Sequence, residues 1–236
     1  MTQNQVPQDA TPGAALLRLV EVMDRLRVSC PWDARQTHES LAPYLVEECY
    51  EALEALEDGD RAALCDELGD VLLQVVFHAR VAAERTDGTG FTIDDVATGI
   101  VAKLVRRHPH VFADVEVSGP EEVKRNWDAI KAAERGGGGA LPAALGSVPF
   151  GQPALSLAAQ LQRRAERAGV PAELTDLTAA GGQGPDGVSA IGAALFALVA
   201  RARAAGADPE LELRAAARSY RERVRRWAED HGHDPA

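Results

Sequence analysis

Two carboxylate pairs set into apolar helical sequence constrain this chain more than any other feature. Glu48 and Glu51, then Glu67 and Asp70, are each three residues apart, so each pair shares one helix face. Leu41, Leu45, Glu48, Ala52 and Ala55 follow the i, i+4, i+7, i+11, i+14 progression of a buried stripe, which Glu48 interrupts. The second pair abuts Val71 to Phe77, apolar nearly all round except Gln74, and reads as interior. A short connection from Glu57 to Asp60 makes the two helices antiparallel neighbours and brings the pairs together across a hairpin. Each unpaired buried ion carries a desolvation penalty of several kcal/mol, so four carboxylates together require cations. Hard oxygen donors of this kind suit Mg2+, or alternatively Mn2+. The competing reading is a solvated acidic face, which fits Glu54, Glu57 and Asp58. Glu47 either faces solvent or supplies an outer contact. A di-iron carboxylate bundle would need ExxH pairs, which His38 and His78 do not supply.

The rest of the chain is also helical in pattern. Aromatics make up 5% of the residues while Ala and Leu are abundant, which favours helix over sheet. Leu16, Leu19, Val20, Met23 and Leu26 define one face of a first helix, Ala14 to Arg27, broken by Cys30-Pro31-Trp32-Asp33. Thr37 is placed to cap a second helix that Gly59 stops, and Asp60 to cap a third reaching about Arg85. Thr92 or Asp94 opens a fourth through Arg107, ended by Pro109, and a fifth covers Glu121 to Arg135.

Gly136 to Gly139, followed by three prolines up to Pro153, divides a first domain at 14–135 from a helical segment at 154–230, with 136–153 as linker. Helices are expected near Ala154 to Ala168, Val188 to Ala205 and Pro209 to Asp230. Leu68 to Val76 matches Ile191 to Val199 at one constant offset, which carries Arg80 onto Arg203. Ala190 and Ala193 then stand where the first copy has Glu67 and Asp70. A repeat that keeps its packing residues and loses its carboxylates reads as a degenerate second copy, with chance similarity between two Ala/Leu-rich helices as the alternative.

Lys103 and Arg107 lie four apart on the fourth helix, so both cations project from one face and are candidates for phosphate oxygens the metals leave uncovered, with an ordinary solvated helix end as the alternative. Trp32 and Trp127 are candidates for stacking on a base, with core packing as the alternative. His108-Pro109-His110 reads as a rigid turn. Gly69, mid-helix, costs roughly 1 kcal/mol relative to Ala and points to close approach by a neighbouring helix or a ligand. The Gly136 to Gly139 run lacks the Lys-Ser/Thr of a phosphate loop, and no Ser/His/Asp or Cys/His arrangement stands out.

The formal net charge of −11 argues against a nucleic-acid partner. Met1 to Gly13 has no apolar core that would read as a signal peptide, and Ile191 to Ala200 is too short to span a bilayer. Cys30, Cys49 and Cys65 show no paired spacing. These features lead us to expect a cytoplasmic protein with reduced thiols and no membrane partner.

Taken together, Cys30-Pro31-Trp32-Asp33, Gln36-Thr37-His38, Glu47-Glu48-x-x-Glu51 and Glu67-Leu68-Gly69-Asp70 through His78 resemble the MazG family. So do Lys103-Leu104-x-Arg106-Arg107-His108-Pro109-His110-Val111-Phe112 and Asn126-Trp127-x-x-Ile130-Lys131. The resemblance is dense over 14–135 and faint beyond. It implies an all-α nucleoside triphosphate pyrophosphohydrolase that releases monophosphate and pyrophosphate, with house-cleaning of the nucleotide pool as its role. It further implies Glu48, Glu51, Glu67 and Asp70 as Mg2+ ligands, Lys103 and Arg107 as phosphate contacts, and Trp127 as a base contact. Glu47 or Glu51 would receive the proton from the attacking water. The resemblance also implies a homodimer. Two-domain members that carry activity in the C-terminal copy differ from this chain, whose C-terminal acids are absent. The rival of another class is a helical nucleotide-sensing or partner-docking regulatory protein.

Overall fold

A computed structural model describes residues 11–134, 145, 146, 148–171, 174, 177 and 189–232. The described residues are helical, with no strand among them. The chain divides into two compact units, Met1–Trp127 and Asp128–Ala236.

In the first unit, α1 spans Ala14–Ser29, a short 3-10 turn covers Asp33–Arg35, and α2 spans His38–Asp58. Helix α3 (Arg61–Ala82) and helix α4 (Ile93–Arg107) follow, then the single turn α5 (Pro109–Phe112). The expected caps hold. Thr37 accepts from the Ser40 amide in a capping box, and Asp60 accepts from the amides of Ala62 and Ala63. Thr92, rather than Asp94, caps α4, with Asp95 completing its box. Gly59 ends α2 at φ 72°, the left-handed conformation that lets the chain reverse into α3 within two residues. Pro43 sits inside α2 without ending it. The His108 turn is in fact the start of a helix, because Pro109 takes the N1 position where its missing N–H is not needed.

Met23, Leu41, Val76 and Phe77 form the core of this unit, with Leu19, Val20, Leu73, Val81 and Ile93 packed around them. Two expectations need correction. Leu16 and Leu26 are exposed, so only the middle of the α1 stripe is buried. The Val71 to Phe77 segment is interior on one face alone. Leu72 and Val75 are exposed, while Gln74, the polar residue of the run, is 5% exposed. Charge pairs fasten α1 to α3 and to the turn just after it: Arg80 meets Asp24 at 2.7 Å, and Arg27 meets Glu84 at 2.8 Å.

Helix α6 spans Pro120–Glu134, and the unit boundary at Trp127 falls within it. Of the expected linker 136–153, residues 136–144 and 147 lie outside the described residues, as does Arg135, the expected end of the first domain. In the second unit, α7 (Ala154–Arg167) packs with α8 (Ala190–Ala204) and α9 (Pro209–Asp230). Ala159, Ala165, Ala193 and Val199 are buried there. Buried Gln162 donates to the Phe196 carbonyl at 2.8 Å and accepts from Arg203, which also pairs with Glu166 at 2.7 Å. Val76 and Val199, matched in the sequence repeat, are each 2% exposed.

A carboxylate cluster on the α2–α3 hairpin

The hairpin brings three of the four expected acids together. Glu48 from α2 and Glu67 and Asp70 from α3 each offer one oxygen, all within 4.8 Å of one another. All three side chains are half-buried. Glu48 reaches this position because the Leu41 to Ala55 stripe does face α3: Leu41 and Ala55 are buried, with Leu45, Glu48 and Ala52 intermediate between them. Three anions so close disfavour their own ionisation. Burial first, then the Asp70 charge, raises the Glu48 carboxyl above its ordinary value. Burial, then Glu51, does the same for Glu67.

Glu51 is exposed and stands outside the tight group of three, yet its carboxyl interacts with both Glu48 and Glu67. Glu47 is exposed and adds its charge to the field at Glu48. Gly69 lies between the two α3 ligands, and a Cβ there would meet nothing within 4 Å. Among the described residues no neighbouring helix makes that close approach, which leaves the ligand as the alternative and open space beside Gly69. Three half-buried carboxylates, with the proton affinity of Glu48 and Glu67 raised, fit a small hard divalent cation, whose charge would replace those protons.

The expected cations lie on α4, which packs on α3. Lys103 is exposed and Arg107 half-buried, and the Arg107 guanidinium carbon lies 5.9 Å from the Trp127 ring centroid, a cation–π contact. Trp32 is 51% exposed and meets Tyr44 and Phe77 edge-on at 5.9 and 6.4 Å. All three cysteines are free thiols.

Sequence reasoning missed two features. Gln74 is buried one turn from Asp70 on the same helix. His38 and His78, dismissed as metal ligands, meet each other with Nδ1 atoms 2.8 Å apart. The spacing Asp70, Gln74, His78 was a usable signal, since residues four apart share a face.

The family model described as the MazG nucleotide pyrophosphohydrolase domain matches residues 36–112, a span that holds the whole carboxylate cluster and both α4 cations. The chain is 40% identical over 232 residues to the nucleoside triphosphate pyrophosphohydrolase/pyrophosphatase MazG of Thermotoga maritima, covering 92% of this chain and 87% of that one. It is 47% identical over 163 residues to the nucleoside triphosphate pyrophosphohydrolase of Mycolicibacterium smegmatis, covering 69% of this chain and 49% of that one. Among solved structures, the mazG-related protein from Thermotoga maritima aligns with a TM-score of 0.43 at 30% identity, over 49% of this chain and 97% of that one. With a relative this similar along nearly its full length, and with the matched domain centred on the acidic hairpin, the chain belongs to the MazG family.

Proposed function

We propose that this chain hydrolyses nucleoside triphosphates between the α and β phosphates, giving monophosphate and pyrophosphate, as a house-cleaning enzyme of the nucleotide pool. The observation that carries this reading is the three-carboxylate group of Glu48, Glu67 and Asp70, placed within the matched family domain. Those residues, with Glu51 beside them, would hold Mg2+. Bound there, it would supply charge neutralisation of the triphosphate and acidify a water. Glu51, whose carboxyl interacts with Glu48 and Glu67, or Glu47, whose charge acts on Glu48, would take that water's proton. Lys103 and Arg107 would bind phosphate oxygens, and Arg107 also orients Trp127, the candidate base contact.

Exposed apolar side chains on the hairpin, Val46 and Tyr50 on α2 with Leu68, Leu72 and Val75 on α3, support a homodimer that covers them. Three free thiols and a net charge of −11 support a reducing, cytoplasmic setting without a nucleic-acid partner. No single helix among the described residues is long and apolar enough to cross a membrane. In this reading 14–135 is the catalytic domain and 154–230 a degenerate repeat.

The test is purified full-length protein with Mg2+ and a panel of ribo- and deoxyribonucleoside triphosphates, with products separated by chromatography. Monophosphate and pyrophosphate in equal amounts are expected. Orthophosphate and diphosphate as products, or no turnover of any triphosphate, would refute the proposal.

A further inference from the structure

The α2–α3 hairpin is closed at one end by the Gly59–Asp60 turn, and its carboxylates lie near the middle of both helices. Like charges within 4.8 Å push the helices apart, so the other end needs a fastening of its own. His38 and His78 are that fastening. His38 is the first residue of α2 and His78 lies in the last turns of α3. Their Nδ1 atoms are 2.8 Å apart, with the ring planes within 2° of parallel and the centroids 5.1 Å apart.

A hydrogen bond between two ring nitrogens holds one proton, and one ring must present a bare nitrogen. Double protonation would set two N–H donors and two positive charges against each other. On His78 the surroundings do not offset that charge, since burial and His38 both oppose it. His78 Nε2 is buried without a partner among the described residues, and so is Gln74 Oε1 one turn nearer the carboxylates. Asp24 and Glu84 pair with Arg80, Glu84 also pairs with Arg27, and Asp33 acts on Arg27. On α4, Asp95 caps its own helix and Asp94 is exposed; Arg35, on the approach to α2, is exposed as well. Glu39, exposed on the first turn of α2, is the carboxylate whose charge interacts with His38. Burial, then His38, holds the His78 imidazole below its ordinary range.

We propose that His38 and His78 are positioning residues for the carboxylate cluster, clamping the open end of the hairpin through a shared hydrogen bond that releases when both rings are protonated. The inference rests on the reading of the cluster as the metal site of a pyrophosphohydrolase. It adds a pH dependence that arises outside the cluster. Acidification to below the ordinary histidine range opens the clamp and weakens metal binding through the α2 register.

The experiment uses the full chain and two readouts. First, the imidazole resonances are titrated without metal by NMR. Two separated steps are expected for the pair, with the lower one below the ordinary value, and His38→Gln should leave His78 with a single step. Second, the Mg2+ concentration for half-maximal pyrophosphate release is followed between pH 7.5 and 5.5. It should rise on acidification about tenfold more in the parent than in the His38→Gln/His78→Gln double variant, the factor expected for one unit of proton coupling. The double variant should need more Mg2+ already at pH 7.5, with kcat at saturating Mg2+ largely kept. Independent single-step titration of both rings near 6.5 in the parent would overturn the clamp, as would identical pH profiles for parent and double variant. If the double variant does not fold, the parent titration decides alone. If no protein releases pyrophosphate, the functional reading fails, and the clamp is still judged by that titration.

Discussion

Arg27 offers a quantitative test of how the segment leading into α2 is held. Its side chain is 9% exposed, and it donates to the carbonyls of Asp33 and Gln36 and to both oxygens of Glu84. Arg27→Met keeps the apolar stem and removes every donor. Each carbonyl that loses Arg27 belongs to a half-buried residue that water can partly reach, and the Asp33 carbonyl keeps the Gln36 amide, so a typical net hydrogen-bond contribution applies, about 1 kcal/mol apiece. Glu84 is 41% exposed, and solvent screening limits its share to about 0.5–1 kcal/mol. The sum is about 2.5–3 kcal/mol. With an m-value of about 2 kcal/mol/M, the urea midpoint should fall by about 1.2–1.5 M. Glu84→Gln should lose only the ion-pair share. Its effect should also depend on pH in a defined direction. The Arg27 hydrogen bond holds the Glu84 carboxyl below its ordinary value of 4.5, so its contribution is complete above that value and fades as pH falls beneath it. Equilibrium urea unfolding followed by circular dichroism measures all three. A midpoint shift for Arg27→Met no larger than that of Glu84→Gln would refute the reasoning, because it would mean the two carbonyls gain nothing from Arg27.

Three further outcomes follow from the cluster and its surroundings. Glu48→Gln or Asp70→Asn should remove most pyrophosphate release while far-ultraviolet dichroism is unchanged, since each removes a charge and little volume; unaltered turnover would exclude that residue as a ligand. Mg2+ should raise the melting temperature of the parent by mass action, where sodium of matched ionic strength does not, and Glu67→Gln with Asp70→Asn should cancel most of that rise. An equal response from both proteins would identify the cluster as an ordinary acidic face. Gln74→Leu should be neutral or stabilising by about 1 kcal/mol in thermal or urea unfolding, because it removes a buried acceptor with no partner among the described residues; a large loss would show that Gln74 is satisfied in solution.

Most helices of the first unit were legible because their signals are local. Thr37, Gly59, Asp60 and Thr92 act on amides and carbonyls within a few residues of themselves, and the observed caps stand at those positions. The short connection at Gly59 and Asp60 dictated an antiparallel hairpin, and spacing by three then gave each carboxylate pair a shared face. Periodicity was less informative about which apolar face is covered. Leu72, Val75 and Gln74 share one α3 segment, and pattern alone favoured burying the two aliphatics over the amide. Helical spacing fixes which residues face the same way, but not which neighbour arrives.

What the sequence determined by itself was the helical class, the hairpin and the set of acids available to it, all consequences of short-range geometry. Tertiary packing decided the rest. It drew Glu48, Glu67 and Asp70 to within 4.8 Å and left Glu51 at the margin. It set Arg107 over Trp127, and it joined His38 to His78 across forty residues of chain. These contacts depend on helix rotation and axial register, which the summed burial of Met23, Leu41, Val76 and Phe77 fixes and no single residue encodes.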